Sequence, residues 1–253
     1  MADEKKITVI GATGRLGSQA VEVLRERGHE VVAASRASGV DVITGEGLGA
    51  ALDGAEVIVD VATGPSPDEK EATDFFTTSA GNLQRAGAER GVGEIVAVSI
   101  VGIDHFQGGY YAAKAAHERV HRDGSVPTRL LRATQFHEFV AELVKWSTQD
   151  GTAYLAPMRT QLIAARAVAE GIADLLEGAD GRPLGNPVSE IAGPREETLA
   201  EVAKLLVAKR GEEIAIESGD NPDDPEGLWP GGGLLPGPIA KLAGPTFEEW
   251  LNA

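Results

Sequence analysis

Short apolar, β-branched runs alternate with stretches of helical periodicity through the first half of the chain. The runs predict strands over residues 6–12, 30–36, 40–43, 55–62, 94–101 and 128–133. The longer stretches predict helices over about residues 16–28, 47–52, 68–90 and 109–122. Because strands that alternate with helices pair in parallel through right-handed crossovers, we predict an α/β doubly wound parallel-sheet Rossmann fold.

The alternation is less regular after about residue 135. Helices are predicted over residues 136–148, 164–177 and 197–209, and strands over 153–156, 188–191 and 213–217. Residues 221–238 form a Pro- and Gly-rich loop, which we interpret as a lid because it carries Leu228 and Trp229. Thr246 is placed to cap a short terminal helix. We therefore predict a Rossmann domain over residues 1–135 and a smaller C-terminal α/β annex over 136–253, some segments of which return to the main sheet.

The net charge, the lack of cysteine and the lack of a long apolar run exclude several kinds of partner and chemistry. The 253 residues carry a formal net charge of −16, so the surface repels phosphate backbones and anionic lipid, and we expect no nucleic-acid or membrane partner. The chain has no cysteine, which excludes disulfides, thiolate nucleophiles and cysteine-ligated metal centres. No apolar run approaches the roughly 18 residues of a membrane span. The N-terminus also lacks the apolar core of a signal peptide, so we expect a cytoplasmic protein.

A glycine-rich motif follows the first predicted strand and begins the first helix. In this GxxGxxG, Gly11 permits a tight turn, Gly14 lets backbone approach a diphosphate, and Gly17 lets the helix pack close to the sheet. The helix N-terminus adds a partial positive charge. A tight turn that binds nothing is the alternative. We predict a dinucleotide site whose first residues are Gly11, Thr13, Gly14, Arg15, Leu16 and Gly17.

The end of the second strand indicates which dinucleotide binds. NAD enzymes usually place Asp or Glu here to accept hydrogen bonds from the ribose 2′-hydroxyl. This chain has Ser35 and Arg36, which suit a 2′-phosphate, and Arg15 adds a second cation. The alternative is that Arg36 is only a solvated strand-end residue. We predict NADP (NADPH) as the cofactor.

Several segments together resemble the NmrA-like, atypical branch of the short-chain dehydrogenase/reductase (SDR) family. They are GATGRLG at 11–17, Ser-Arg at 35–36, Val-Asp-Val at 40–42, Val-Ser-Ile-Val-Gly at 98–102, Ile-Ala-Gly-Pro at 191–194 and Gly-Pro-Thr-Phe-Glu-Glu-Trp at 244–250. The resemblance implies that Asp41 and Val42 flank the adenine. It also implies that Val61, Ala62 and Thr63 line the path of the cofactor ribose and diphosphate.

The resemblance also implies a catalytic group of Ser, Tyr and Lys. Tyr110 and Lys114 lie four residues apart on one helix face, and Ser99 lies near the end of the preceding strand. Tyr110 would donate a proton, Lys114 would stabilise the phenolate and hold the nicotinamide ribose, and Ser99 would polarise a carbonyl. Tyr111 lacks the four-residue offset. The alternative is that Tyr110 is only a packed aromatic residue.

Substrate-contacting residues are predicted near two predicted strand ends and in the lid. The candidates are His105, Phe106, Phe136, His137 and Trp229. Each single histidine is, on general grounds, more often a surface residue than a ligand contact.

Residues 117–121 match the zinc-protease pattern HExxH, with His117 and His121 on one helix face. Pro127 stands where an extended metalloprotease motif needs a third histidine, and the helix belongs to a sheet crossover. We therefore predict no metal site. On this reading, the two histidines pack at a helix–helix or subunit interface. The metalloprotease reading instead predicts one bound zinc ion.

The sequence as a whole predicts an NADP(H)-dependent oxidoreductase of atypical short-chain type. Its substrate would be a small carbonyl, quinone or conjugated compound. The alternative is a non-catalytic, NADP-sensing regulatory protein of NmrA type. The sequence leaves open the substrate, the reaction direction and whether the chain forms a homodimer.

Overall fold

The computed structural model describes residues 4–178, 188–219, 224 and 226–253. Contacts divide the chain into two units. The first comprises Met1–Arg132 and Val168–Ser189, and the second comprises Ala133–Ala167 and Glu190–Ala253.

The described strands are short. They are β1 Lys6–Ile10, β2 Glu30–Ala34, β3 Val57–Asp60, β4 Glu94–Ile100, β5 Thr128–Ala133, β6 Thr148–Gln149, β7 Thr152–Leu155, β8 Arg159–Thr160, β9 Val188–Ala192, β10 Glu197–Thr198, β11 Ala215–Ser218 and β12 Lys241–Leu242. The described α-helices are α1 Arg15–Glu26, α2 Leu48–Ala51, α3 Glu69–Arg90, α4 Gly109–Asp123, α5 Val140–Ser147, α6 Ala165–Leu176, α7 Leu199–Arg210 and α8 Phe247–Asn252.

Seven strands form one sheet in the order β12-β9-β5-β4-β3-β1-β2, which confirms the predicted α/β Rossmann architecture. β1 pairs in parallel with β2 on one side and with β3 on the other, Ile7 lying opposite Val31 and Val57. β2 lies on one side of β1, whereas β3 and β4 follow one another on the other side, so the order of the strands reverses at β1. In sheets of this kind, ligands bind at such a reversal, beyond the carboxyl ends of the strands.

The first unit buries a continuous apolar core between its strands and the helices α2 and α3. Ile10, Ile58 and Ile95 come from three neighbouring strands and pack with Leu52 and Leu83. All five side chains are essentially removed from water. Because these strands are apolar along nearly their whole length, a polar residue at a strand end needs a specific partner.

The predicted strand over residues 40–43 is wrong. Asp41 Oδ1 accepts hydrogen bonds from the backbone N–H groups of Ile43 (2.7 Å) and Thr44 (3.1 Å). This side-chain turn competes with strand pairing, which alternating apolar residues alone do not reveal. The second strand also ends at Ala34, and Arg36–Ser38 form a 3-10 turn.

The second unit contains a three-stranded sheet in the order β11-β7-β6 and the pair β10–β8. As predicted, Thr246 caps α8, and its side chain accepts a hydrogen bond from the Glu249 backbone N–H. Phe247 in α8 is fully buried. No helix among the described residues is long and apolar enough to cross a bilayer.

The predicted lid over 221–238 lies partly outside the described residues, at 221–223 and 225. In its described part, the Asp224 carboxylate accepts hydrogen bonds from the backbone N–H groups of Leu228 and Trp229, each at 2.8 Å. The Arg159 N–H donates to the Trp229 carbonyl oxygen at 3.1 Å, and Leu234 is fully buried. This part is therefore folded within the second unit. Its role as a lid stays a prediction.

Candidate functional site

The loop between β1 and α1 is drawn tightly against the ends of the neighbouring strands. Gly11 has a φ of +82°, a conformation that favours glycine. Its N–H and that of Ala12 both donate to the Ala34 carbonyl oxygen, at 3.0 and 3.1 Å. A Cβ atom on Gly11 would lie 2.9 Å from the Ala62 Cα atom. The fold thus brings together two predicted cofactor-binding segments, 11–17 and 61–63.

The start of α1 has equally little room for side chains. Gly14 is the N-cap residue, and its N–H donates to the Gly11 carbonyl oxygen at 2.9 Å. A Cβ atom on Gly17 would lie only 2.0 Å from that same oxygen. Among the other predicted loop residues, Thr13 and Arg15 are exposed and Leu16 is buried. The glycines therefore permit a close approach of helix to strand, with the helix N-terminus at the carboxyl edge of the sheet.

The residues after β2 form a small polar turn. The Ser35 backbone N–H donates to Ser38 Oγ at 2.9 Å. Backbone hydrogen bonds from Thr44 and Ile43 lower the pKa of Asp41, and the charge of the exposed Arg36 adds a smaller effect in the same direction. Val42 and Val61 are half-buried, whereas Thr63 is exposed.

The predicted catalytic residues all lie in the first unit. Ser99 is buried near the end of β4, and its Oγ has no hydrogen-bond partner within the described structure. Tyr110 stands in the first turn of α4, with its ring centroid 5.7 Å from that of Phe76 in α3. Burial raises the pKa of Tyr110 to about 12, so its phenol keeps its proton at neutral pH.

Lys114 is buried in the protein interior. Its Nζ donates to the Val98 carbonyl oxygen at 2.9 Å and lies 3.1 Å from His117 Nδ1. It also lies 4.4 Å from the centre of the Phe76 ring. Burial lowers the pKa of Lys114 to about 8, against the opposing effect of Asp60 and Glu118. Phe76 thus contacts both Tyr110 and Lys114.

His117 links Lys114 to the buried carboxylate of Asp60. Asp60 ends β3, and its Oδ2 is 2.9 Å from His117 Nε2 and 3.0 Å from His121 Nε2. Its Oδ1 accepts a hydrogen bond from the Ala62 N–H at 3.1 Å. Although burial alone would raise it, these histidines hold the pKa of Asp60 far below its usual range. Burial and the Lys114 charge lower the pKa of His117 to about 4.

The glutamate of the HExxH pattern is engaged elsewhere. Glu118 binds Arg132 through two hydrogen bonds, from Nε at 2.8 Å and from Nη2 at 2.7 Å. Arg132 also donates to Asp104, and the hydrogen bonds with Glu118 and Asp104 raise its pKa. A metalloprotease needs this glutamate beside the metal as a general base. The arrangement therefore opposes the protease reading.

The predicted substrate residues lie in both units. In the first, His105 is exposed at the end of a 3-10 turn, and Phe106 stacks on Tyr111 with ring centroids 4.4 Å apart. In the second, Phe136 is half-buried, and Trp229 belongs to the loop described above.

His137, the remaining substrate candidate, is deeply buried in the second unit. Its Nε2 lies 3.1 Å from the Pro245 carbonyl oxygen, and its ring packs against Phe247 and Trp250. Burial lowers the pKa of His137. Contact of these five residues with a substrate stays a prediction.

The sequence-based site lacked Asp60 and Phe76. The signal for Asp60 was present, because a carboxylate that ends an apolar strand requires a buried partner. Two histidines one helical turn apart, His117 and His121, are suitable partners. Phe76 gave no comparable signal, since aromatic residues on a long helix usually only fill the core.

No protein-family model matches the chain. No curated protein matches it either.

Solved structures, however, match nearly the whole chain. A nucleoside-diphosphate-sugar epimerase from Staphylococcus aureus matches with a TM-score of 0.71 at 16% identity, over 98% of this chain and 100% of that one. A dTDP-4-dehydrorhamnose reductase from Bacillus anthracis, in complex with NADP, matches with a TM-score of 0.70 at 15% identity, over 98% of this chain and 97% of that one. A UDP-glucuronic acid 4-epimerase from Bacillus cereus, in complex with UDP-glucuronic acid and NAD, matches with a TM-score of 0.69 at 15% identity, over 98% of this chain and 97% of that one.

These similarities define the class of fold. The chain has the Rossmann-like α/β fold found in NAD- and NADP-bound epimerases and reductases. At such low identity the likeness establishes the fold alone, because one fold supports many different activities.

Proposed function

We propose that the protein is an NADP(H)-dependent oxidoreductase of the NmrA-like, atypical short-chain type. Its substrate would be a small carbonyl, quinone or conjugated compound. The observation that carries the proposal is the glycine loop at the reversal of strand order, where a Cβ on Gly17 would lie 2.0 Å from the Gly11 carbonyl oxygen. Loops of this shape bring backbone N–H groups and a helix N-terminus to a diphosphate.

The residues present fit a dinucleotide. The loop of residues 11–17 would hold the diphosphate, and Ala62, which a Cβ on Gly11 would touch, would border it. Asp41 and Val42 would flank the adenine. Arg36, exposed just after β2, would pair with a 2′-phosphate, and no carboxylate stands at position 35 or 36 to repel it. These features favour NADP over NAD.

The bound cofactor would supply or accept the hydride. In reduction of a carbonyl, the Ser99 hydroxyl would donate a hydrogen bond to the carbonyl oxygen, and its buried Oγ has no other partner in the described structure. The Tyr110 Oη–H would protonate the same oxygen as hydride reaches the carbon. The Lys114 ammonium would stabilise the phenolate that remains.

Steady-state oxidation of NADPH against a panel of aldehydes, ketones, quinones and 4-keto nucleotide sugars tests this proposal. We expect turnover of at least one class. Tyr110→Phe should lower kcat by about 100-fold or more, because it removes the proton donor. Cofactor affinity should hardly change. Tyr111→Phe is the matched control and should retain activity.

Two observations favour a second function, a non-catalytic regulator that senses NADP. Lys114 Nζ already donates to protein groups, and Tyr110 packs on Phe76. Such a protein binds NADP but turns over none of the panel, and Tyr110→Phe changes nothing. A titration with NADP and the NADPH oxidation assay together therefore separate the two functions.

A further inference from the structure

A continuous chain of hydrogen bonds joins three side chains of α4 to the last residue of β3. Its members are Lys114, His117, Asp60 and His121. Lys114 Nζ lies 3.1 Å from His117 Nδ1, and Asp60 Oδ2 lies 2.9 Å from His117 Nε2 and 3.0 Å from His121 Nε2. All four side chains are at least nine-tenths buried. We propose that Asp60 and His117 are positioning residues that hold the Lys114 ammonium at the carboxyl end of β4. The inference about the network stands on this geometry, whereas its importance for catalysis rests on the proposed function.

The contacts assign the protons. An ammonium group is a donor only, so His117 Nδ1 must accept from Lys114. A neutral His117 then carries its proton on Nε2, and this N–H donates a hydrogen bond to Asp60 Oδ2. His121 donates to the same carboxylate oxygen from its own Nε2. Gln84 Nε2 lies 3.4 Å from His121 Nδ1, which completes the chain.

The charges of the network balance one another among buried side chains. Lys114 is the cation, Asp60 is the anion, and His117 is a neutral link between them. The other groups around Lys114 are Glu118 on α4, which is paired with Arg132, the Phe76 ring on α3, and Tyr110 one turn earlier. Without the acceptor at His117 and the charge at Asp60, a buried ammonium would lose its proton more readily.

A metal ion is the obvious competitor for the same atoms. One ligand atom each from Asp60, His117 and His121 lies within 4.8 Å of the others. A metal on His117 Nε2 would force the proton onto Nδ1, directly facing the Lys114 ammonium. Metal-bound histidines instead present that proton to a carboxylate, a carbonyl oxygen or water. Hydrogen bonding therefore fits this geometry better than coordination.

The decisive experiment is ¹⁵N NMR of lysine and histidine side chains in the full chain without cofactor. The Lys114 signal is identified by its loss in Lys114→Met. In the wild type we expect a protonated Nε2 and an unprotonated Nδ1 on His117, and a Lys114 pKa near 8. His117→Leu and Asp60→Asn should each lower that pKa by about one unit or more.

Two variants serve as matched controls. His117→Gln keeps an acceptor for Lys114 and a donor for Asp60, so the Lys114 pKa should stay near the wild-type value. His121→Leu removes a partner of Asp60 that does not touch Lys114, and it should change the pKa much less than His117→Leu. If a leucine or asparagine variant fails to fold, the His117 tautomer in the wild type still decides.

Three results would overturn the proposal. These are a proton on His117 Nδ1, equal pKa changes in His117→Leu and His121→Leu, or one equivalent of zinc bound through these histidines in the purified protein. If NADPH does not bind at all, the proposed function fails while the NMR result stands by itself. If the protein oxidises NADPH, the alkaline limb of the pH profile of kcat/KM should move to lower pH in His117→Leu. In His117→Gln it should return to the wild-type pH.

Discussion

Gly17→Ala would place a methyl group against the backbone of the glycine loop. The added methyl group would lie 2.0 Å from the Gly11 carbonyl oxygen, 2.7 Å from the Gly11 carbonyl carbon and 2.9 Å from the Ala12 Cα. All three atoms are backbone, so no flexible side chain can move aside. Ordinary contact begins at 3.4 Å, and α1 and the loop must separate by about 1.4 Å to reach it.

The cost of this separation can be bounded. Overpacking of a closely packed site costs about 1–3 kcal/mol. Alanine gains about 1 kcal/mol over glycine inside a helix. The free energy of unfolding should therefore fall by up to roughly 2 kcal/mol. A shift of this size also breaks hydrogen bonds from the loop to a diphosphate, so NADPH affinity should fall at least about 10-fold.

Urea unfolding and calorimetric titration with NADPH measure the two effects. Gly81→Ala is the matched control, because Gly81 lies within α3 and its Cβ would meet nothing within 4 Å. That variant should gain about 1 kcal/mol of stability and bind NADPH as the wild type does. A Gly17→Ala protein with unchanged stability and affinity would refute the close approach of helix and strand at this loop.

Three further predictions concern charge. Arg36→Ala should weaken NADPH binding about 10-fold in titrations and leave NADH binding unchanged; equal losses for both would remove Arg36 from the 2′-phosphate site. Glu118→Gln should lower the free energy of unfolding by about 2 kcal/mol in urea, because it removes one of the two carboxylates that bind the buried Arg132 guanidinium, Asp104 being the other; a loss below about 1 kcal/mol would contradict this pairing. Burial lowers the pKa of His117 to about 4 in the folded state from 6.5 in the unfolded state, so the stability that depends on a neutral His117 is present above pH 6.5 and is lost as pH falls toward 4. His117→Gln should flatten that slope in urea unfolding between pH 7 and 4.5, and an unaltered slope would exclude His117 as its source.

The sheet and its glycine loop could be predicted from the sequence because their signals are local. Apolar strands, amphipathic helices and the spacing of Gly11, Gly14 and Gly17 each follow from backbone geometry and burial over a few residues. The structure agrees with this reading at β1, α1, α3 and β4. It differs at residues 40–43, where the Asp41 side chain bonds to the backbone and prevents strand pairing.

The partners of the buried polar groups could not be predicted in the same way. Asp60 and His117 are 57 residues apart in the chain and meet only because β3 and α4 pack together. Likewise, Glu118 pairs with Arg132 across α4 and β5. The histidine spacing indicated a shared helix face, but it did not show whether a metal, a carboxylate or another subunit would contact that face.

Isothermal titration calorimetry with pyridine dinucleotides is the decisive test of whether the loop of residues 11–17 binds the cofactor. We expect NADPH to bind the wild-type chain saturably at one site per chain and more tightly than NADH, with the affinity reduced in Gly17→Ala. If the folded protein shows no binding heat with NADPH, NADP, NADH or NAD, the account of this site is contradicted.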